Sequence, residues 1–383
     1  MSDELDREVP DAAEKDQAGA PPSPRAARQW VLMRGASMDL RAGVGILSEF
    51  PSVLRSAAGR PHLCALVTEE GVSEDVLITL RDNLRAQGFE VRCATAPAGC
   101  GLGSVERFCE LLAEARVTAD DLVLAAGGYE TLSVASFACS RWCGGVQLAE
   151  VPTDLPSAVV AAATPRAIDA AGAARMLAQD GTARYTCVDL DLVAADPASE
   201  PALLAHALMV QSTMCESDRA FGRLWDAADD LAAGDPDALV AQLQDAVKSR
   251  GKVASATSAA LRQSLEFGTT FASALRALAP GEVSASAALA DGMRFAARLS
   301  VAQETLSIDD MLAVDEVLER LGVPTTTARI DPGELAARIR EERFRRSSRF
   351  MLAVPRALGR VRLAVMTDEL LAEHTAAWCA SRP

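Results

Sequence analysis

What most constrains this chain is an alternation of short β-rich runs with helical stretches through its first half. HLCALVT (62–68), FEVRCAT (89–95), DLVLAAGG (121–128) and GVQLAEVP (145–152) are compact apolar runs, the pattern of strands buried on both faces. Between them, SEDVLITLRDNLRAQG (73–88), SVERFCELLAEAR (104–116) and ETLSVASFACSRW (130–142) have helical spacing. Strand, helix, strand at this pitch predicts a parallel sheet with crossover helices, and such sheets bind ligands at the carboxyl ends of their strands. After CVDLDLVAADPASEP (187–201) the period changes. Successive amphipathic stretches, including LRQSLEFGTTFASALRAL read as one helical segment, predict a helical region from Ala202 to about Leu321. RFMLAVPRALGRVRLAVM (349–366) reads as a small hairpin before a terminal helix.

The expected architecture is an α/β nucleotide-binding-like domain over 29–194 and an α-helical domain over 195–383. Residues 1–28 mix acid, Pro, Ala and Gly without apolar periodicity, the composition of a disordered tail. No apolar run approaches the roughly 18–20 residues of a membrane span, and the N-terminus lacks a basic start followed by an apolar stretch. A cytoplasmic location with no membrane partner is the expectation. With 38 Lys+Arg against 53 Asp+Glu, the formal charge of -15 argues against a nucleic-acid partner, which needs a basic face. The nine cysteines include no C-x-x-C pair and read as reduced, mostly buried thiols.

Several residues are candidates for chemistry. AAGGYETL (125–132) follows a strand and opens a helix, so Gly127 and Gly128 suit either an anion at the helix N-terminus or a tight turn. GCGLGS (99–104) reads as a flexible loop. The chain has three lysines (Lys15, Lys248, Lys252) and three histidines (His62, His206, His374), so each one in a candidate site stands out. His206 lies mid-helix among apolar neighbours, as a packed histidine would. Arg166, Arg175, Lys248 and Arg262, with ERFRR (342–346), form either solvated faces or, together, an anion pocket.

The order of these segments resembles the 3-dehydroquinate synthase family and the related sugar-phosphate cyclases from about residue 30 to 365. The matching stretches are 122–167, ALLAHALMV (202–210), LRQSLEFGTTFASALRAL (261–278) and ALADGMRFAARLS (288–300). The resemblance implies dimers that use NAD and a divalent metal to cyclise a sugar phosphate. Carried over residue by residue, the metal-ligand slots fall on His206, Thr269 and Ala285, which implies no metal site. The second histidine of the family's segment falls on Ser273. Around the cofactor, Gly127, Gly128 and Thr153 match, but Tyr129, Ser133 and Val160 depart from the pattern, leaving NAD binding open and not required. Substrate-binding charge is implied at Arg166, Arg175, Lys248 and Arg262, with Arg343 a looser match.

The expected function is therefore a metal-independent cyclase or lyase acting on an anionic small molecule in a specialised biosynthetic pathway, with His206 a candidate proton-transfer residue. Two alternatives stand beside it. One is a non-catalytic partner of an active homologue, as a homodimer or heteromer. The other is a genuine 3-dehydroquinate-synthase-type carbon-oxygen lyase.

Overall fold

The computed structural model describes residues 26–59 and 61–382. The stretch read as a tail lies outside them except for its last three residues, of which Ala27 and Arg28 already belong to the first strand. Arg28 is fixed there by paired hydrogen bonds, Nε and Nη2 donating to the buried Asp39 carboxylate at 3.0 and 2.9 Å.

The strands are β1 (Ala27–Met33), β2 (Ala36–Gly43), β3 (Leu63–Thr68), β4 (Glu90–Thr95), β5 (Leu122–Gly127) and β6 (Gln147–Pro152). A separate hairpin of β7 (Arg166–Ala170) and β8 (Ala173–Gln179) follows, and β9 (Tyr185–Asp189) returns to the main sheet. That sheet has the order β1-β2-β9-β6-β5-β3-β4 and is parallel except for the β1–β2 pair. The four runs read from the sequence are β3, β4, β5 and β6, but β4 lies at the sheet edge and is largely exposed rather than buried on both faces, which is where Glu90 and Arg92 can be solvated. β3 and β5 are buried at every position, because crossover helices cover both faces. Successive residues of β3 feed different cores: Leu63, Ala65 and Val67 pack on one face, Cys64 and Leu66 on the other. The first of these cores runs on without a break into the helical region.

The order reverses at β3, with β4 on one side and β5 on the other, so a crevice opens beyond their carboxyl ends. The helices Glu200–Glu216, Pro236–Ala254, Thr269–Leu278 and Ala285–Ala302 belong to the helical region, where Glu200–Glu216 packs against Pro236–Ala254 and Ala285–Ala302, and the hairpin β10 (Met351–Ala357) and β11 (Arg360–Val365) precedes the closing helix Asp368–Ala380. The segment read as one helix over 261–278 is broken. A 3-10 turn ends at Glu266, and Gly268 takes φ +80° before the next helix begins. A Cβ on Gly268 would sit 2.9 Å from the Met293 nitrogen, and one on Gly292 would sit 2.1 Å from the Gly268 oxygen. The close crossing of these two backbones therefore requires glycine on both sides, and it sets the position of Thr269.

Candidate anion-binding cleft

Two adjoining cavities of about 860 and 440 Å³ lie between the α/β and helical regions. They share Tyr129, Arg175, Leu208, Thr269 and Ser273 on their walls, so one ligand could span both. The smaller is built around Arg250. This residue is only 5% exposed and lines the cavity. Its Nε donates to Thr164 Oγ1 at 2.7 Å and its Nη1 to Gln211 Oε1 and Ser212 Oγ, both at 3.1 Å. All three acceptors are neutral. Among the described residues no carboxylate pairs with Arg250, and burial lowers its pKa to about 10, which leaves it charged at neutral pH. A buried cation without a counter-ion is costly, and an anion entering the cavity relieves that cost.

The other cations of the cleft differ in what they are free to do. Arg262 lines the smaller cavity, but its Nη1 is held by the carbonyls of Ala256 and Thr257 at 2.7 and 2.9 Å. Arg175 is exposed, lines both cavities, and has φ +53° in β8, its amide held by Asp169 Oδ1 at 2.7 Å. Arg343 is neutralised by Glu266 at 2.8 Å. Arg276 lines the larger cavity with no carboxylate partner among the described residues.

Two of the five residues read as catalytic thus reach the cleft, and three do not. Arg166 lines neither cavity: it is fully buried at the start of β7, where Nη2 donates to Glu150 Oε2 at 2.9 Å and the guanidinium lies 5.6 Å from the Tyr129 ring centroid. Burial pushes the Glu150 carboxyl upward in pKa, and the Arg166 charge and hydrogen bond pull it back. Lys248 is exposed and lines neither cavity; at about 100° per residue it points to the opposite side of its helix from Arg250. His206 also points away. Its Nδ1 lies 3.3 Å from the Leu321 carbonyl, while Leu204 and Leu208, two residues to either side, face the larger cavity. Arg250 is the functional candidate the sequence reading missed.

The metal and cofactor that the resemblance implies can be tested against these walls. Of the three ligand slots, Thr269 and Ala285 line the larger cavity and are not usual divalent-metal donors, while His206 does not line it and faces the Leu321 carbonyl. Among the described residues no group of three or more His, Cys, Asp or Glu is placed to hold a metal ion. The donor set does not fit the metal.

The three cofactor candidates do come together: Gly127 and Gly128 form the turn into the helix Tyr129–Cys139, and the Thr153 amide donates to the Gly127 carbonyl at 3.2 Å. The anion position at that helix start is already filled by the chain. The Gly128 amide donates to Glu69 Oε2 at 2.5 Å, and Asp154, the cap of the next short helix, stands beside it. A Cβ on Gly128 would meet Asp154 Oδ2 at 2.9 Å and Glu69 Oε2 at 3.3 Å. Two carboxylates where a pyrophosphate would sit do not fit a dinucleotide, and Tyr129 narrows the cleft further.

No helix among the described residues is long and apolar enough to cross a membrane. The profile of the 3-dehydroquinate synthase C-terminal family matches residues 205–343. A 3-dehydroquinate synthase of Agrobacterium fabrum is 30% identical over 318 residues, 78% of this chain and 80% of that protein. One from Lactiplantibacillus plantarum is 28% identical over 286 residues, 71% of this chain and 77% of its own. Among solved structures, a 2-deoxy-scyllo-inosose synthase in complex with carbaglucose-6-phosphate, NAD+ and Co2+ superposes with a TM-score of 0.78 at 15% identity, covering 91% of this chain and 99% of that one. A 2-epi-5-epi-valiolone synthase from Streptomyces hygroscopicus subsp. jinggangensis, with NAD+ and Zn2+ bound, superposes at 0.76 with 17% identity, covering 91% and 98%. The sheet order, the helical half and the similarity to the Agrobacterium enzyme together establish that this chain belongs to the family of 3-dehydroquinate synthases and related sugar-phosphate cyclases.

Proposed function

We propose that this chain binds an anionic small molecule in the inherited cleft and acts on it as a metal-independent cyclase or lyase of a specialised pathway. The observation that carries this reading is Arg250, a buried guanidinium with only neutral partners in a chain of net charge -15. Arg175 and Arg262 add positive potential on the same walls. Catalysis here rests on orientation and fixed charge, which supply large rate gains when the reacting groups are held in place. Proton transfer would fall to hydroxyl and carboxyl groups of the cleft, with Tyr129 the residue at the junction of the cavities.

One observation favours a second reading, a non-catalytic partner acting as a homodimer or as a heteromer with an intact homologue. The carboxylates of the smaller cavity are engaged: Glu266 with Arg343 at 2.8 Å and Glu342 with Arg338 at 2.7 Å. Isothermal titration with inorganic phosphate separates ligand binding from its absence. Saturable binding to wild type that is lost in Arg250→Met supports the anion cleft, and no binding to either favours the partner. Elemental analysis of the purified protein addresses the remaining alternative: stoichiometric zinc or cobalt would restore the reading as a genuine 3-dehydroquinate-synthase-type lyase.

A further inference from the structure

The larger cavity has no metal donors at Thr269 and Ala285, yet its walls carry charge. Five arginines and two carboxylates line it, an excess of positive charge in a chain of net charge -15. Most of these groups are engaged. Asp154 accepts from the Ser157 amide and hydroxyl at 2.7 and 2.9 Å, and Glu342 pairs with Arg338 at 2.7 Å, with Arg345 3.8 Å away. Arg346 donates to the carbonyls of Arg175 and Ala174 at 3.0 and 2.7 Å. Among the described residues, the guanidiniums of Arg175 and Arg276 are the two on these walls with neither a hydrogen bond nor an ion pair.

The two differ in how they are supported. Arg175 sits on an exposed hairpin strand at φ +53°. Arg276 belongs to the helix Thr269–Leu278, three residues after Ser273 and seven after Thr269, so the three share one face. Helical side chains lean toward the N-terminus of their helix, which carries the Arg276 guanidinium back over the turn of Ala272 and Ser273. Thr269 and Ser273 also wall the Arg250 cavity, whereas Arg276 lines only the larger one. This helix face therefore leads from the Arg250 cavity, past a slot without a metal donor, to a free cation. A place in the last turn suits the helix dipole, but Arg276 bonds no carbonyl there among the described residues, so its charge stays open to a ligand.

We infer that Arg276 is an oxyanion-binding residue of the cleft: it holds a negatively charged ligand oxygen, such as an enolate or alkoxide, on the wall beside Thr269 and Ala285, while the ligand's anionic group sits at Arg250. This inference rests on the anion-binding reading above and adds a second, separate charge position. A guanidinium placed there stabilises negative charge on oxygen but does not give or take the proton, which leaves proton transfer to other groups of the cleft.

The test compares three probes by isothermal titration: inorganic phosphate, glucitol 6-phosphate and 6-phosphogluconate. The last two are open six-carbon chains with the same phosphate and the same internal hydroxyls. They differ at the far end, a neutral hydroxymethyl group in the first and, in the second, a carboxylate that stands in for the oxyanion. 6-Phosphogluconate is expected to bind at least about tenfold more tightly, the gain from a charge-assisted contact. In Arg276→Met that ratio should fall to about twofold or less. Taking the ratio cancels any general loss of positive potential, and because Arg276 is exposed, its replacement should leave the urea midpoint in place. Equal affinities of the two chains for wild type, or a ratio that survives in Arg276→Met, overturn the inference. A ratio that survives there and collapses in Arg175→Met would move the second charge position to the hairpin. Arg250→Met keeps the two levels apart. If all three probes bind wild type and this variant loses them, but no preference for the carboxylate is seen, only the position at Arg276 fails. If none binds wild type, or Arg250→Met changes nothing, the anion cleft itself fails and the inference with it.

Discussion

Arg166 and Arg250 are two buried guanidiniums in neighbouring parts of one chain, and their environments are opposite. Arg166 sits beneath the cleft and shares a hydrogen bond with Glu150, so the pair carries no net charge, although Arg166 Nε and Nη1 and Glu150 Oε1 have no hydrogen-bond partner. Arg250 faces the cleft and is surrounded by neutral oxygens. The first arrangement holds a fold together and offers nothing to a ligand. The second keeps its charge available. Position in the sequence does not distinguish them; the nature of the acceptor does.

The largest expected effect comes from breaking the first arrangement. Glu150→Ala leaves Arg166 as an uncompensated charge in a fully buried site and should cost about 3–5 kcal/mol of stability, read by urea unfolding. Replacing both residues, as Glu150→Leu with Arg166→Met, should recover most of that loss, because apolar side chains of similar volume carry no desolvation penalty. A loss below about 1 kcal/mol for Glu150→Ala would mean that water reaches the pair and that the contrast with Arg250 is not one of burial.

Breaking the second arrangement should act on binding more than on folding. Arg250→Met removes a cation that already lacks a counter-ion, so in anion-free buffer its cost should be smaller than that of Glu150→Ala. Its phosphate affinity should fall by more than tenfold, or about 1.4 kcal/mol. Lys248→Ala is the internal control. An exposed side chain on the far side of the same helix should leave affinity within about twofold of wild type.

That control points to what the sequence could and could not convey. β3 and β5 were legible because each is a run of apolar and small residues buried throughout, whereas β1 exposes Trp30 and Leu32 at the sheet edge and carries no such signature. Gly127, Gly128 and Thr153 were recognised and do meet, since backbone turns keep their spacing. The side chains on helices were harder to assign. A shift of two residues turns a side chain by about 200°, which is the difference between Lys248 and Arg250 and between His206 and either Leu204 or Leu208. For Arg250 a signal existed. Leu243, Ala246, Val247, Val253 and Ala254 form one buried stripe, and Arg250 falls on it at helical spacing, a charge on the apolar face. For His206 none did, because its helix is buried nearly all round and has no stripe to read. Glu69 is likewise invisible in one dimension, since its role depends on β3 ending beside β5.

The Glu69 contact offers a subtler comparison, between an anion position the chain fills itself and one it leaves to a ligand. NAD should produce no saturable binding to wild type by titration calorimetry, whereas phosphate should. Glu69→Gln/Tyr129→Gly, which removes a carboxylate from the Gly128 amide and opens the cleft wall, should gain weak saturable binding. Saturable NAD binding to wild type would show that Glu69 swings aside and that the two positions are alike.

The smallest effect concerns His206, and its sign follows from burial. Desolvation lowers its pKa below the usual 6.5, because an imidazolium would sit among apolar neighbours; the weak contact to the Leu321 carbonyl opposes this. The unfolded chain therefore holds the proton more tightly than the folded one. The resulting stability is fully present above about pH 6.5 and is lost as pH falls through the depressed folded pKa. His374 shifts in the same direction, so wild type carries two such contributions. His206→Gln should flatten part of the acid limb of a stability-against-pH curve and leave phosphate affinity unchanged, since the ring faces Leu321 rather than the cleft. A loss of affinity in that variant would place His206 back among the ligand-handling residues, and with it the expectation that it moves a proton.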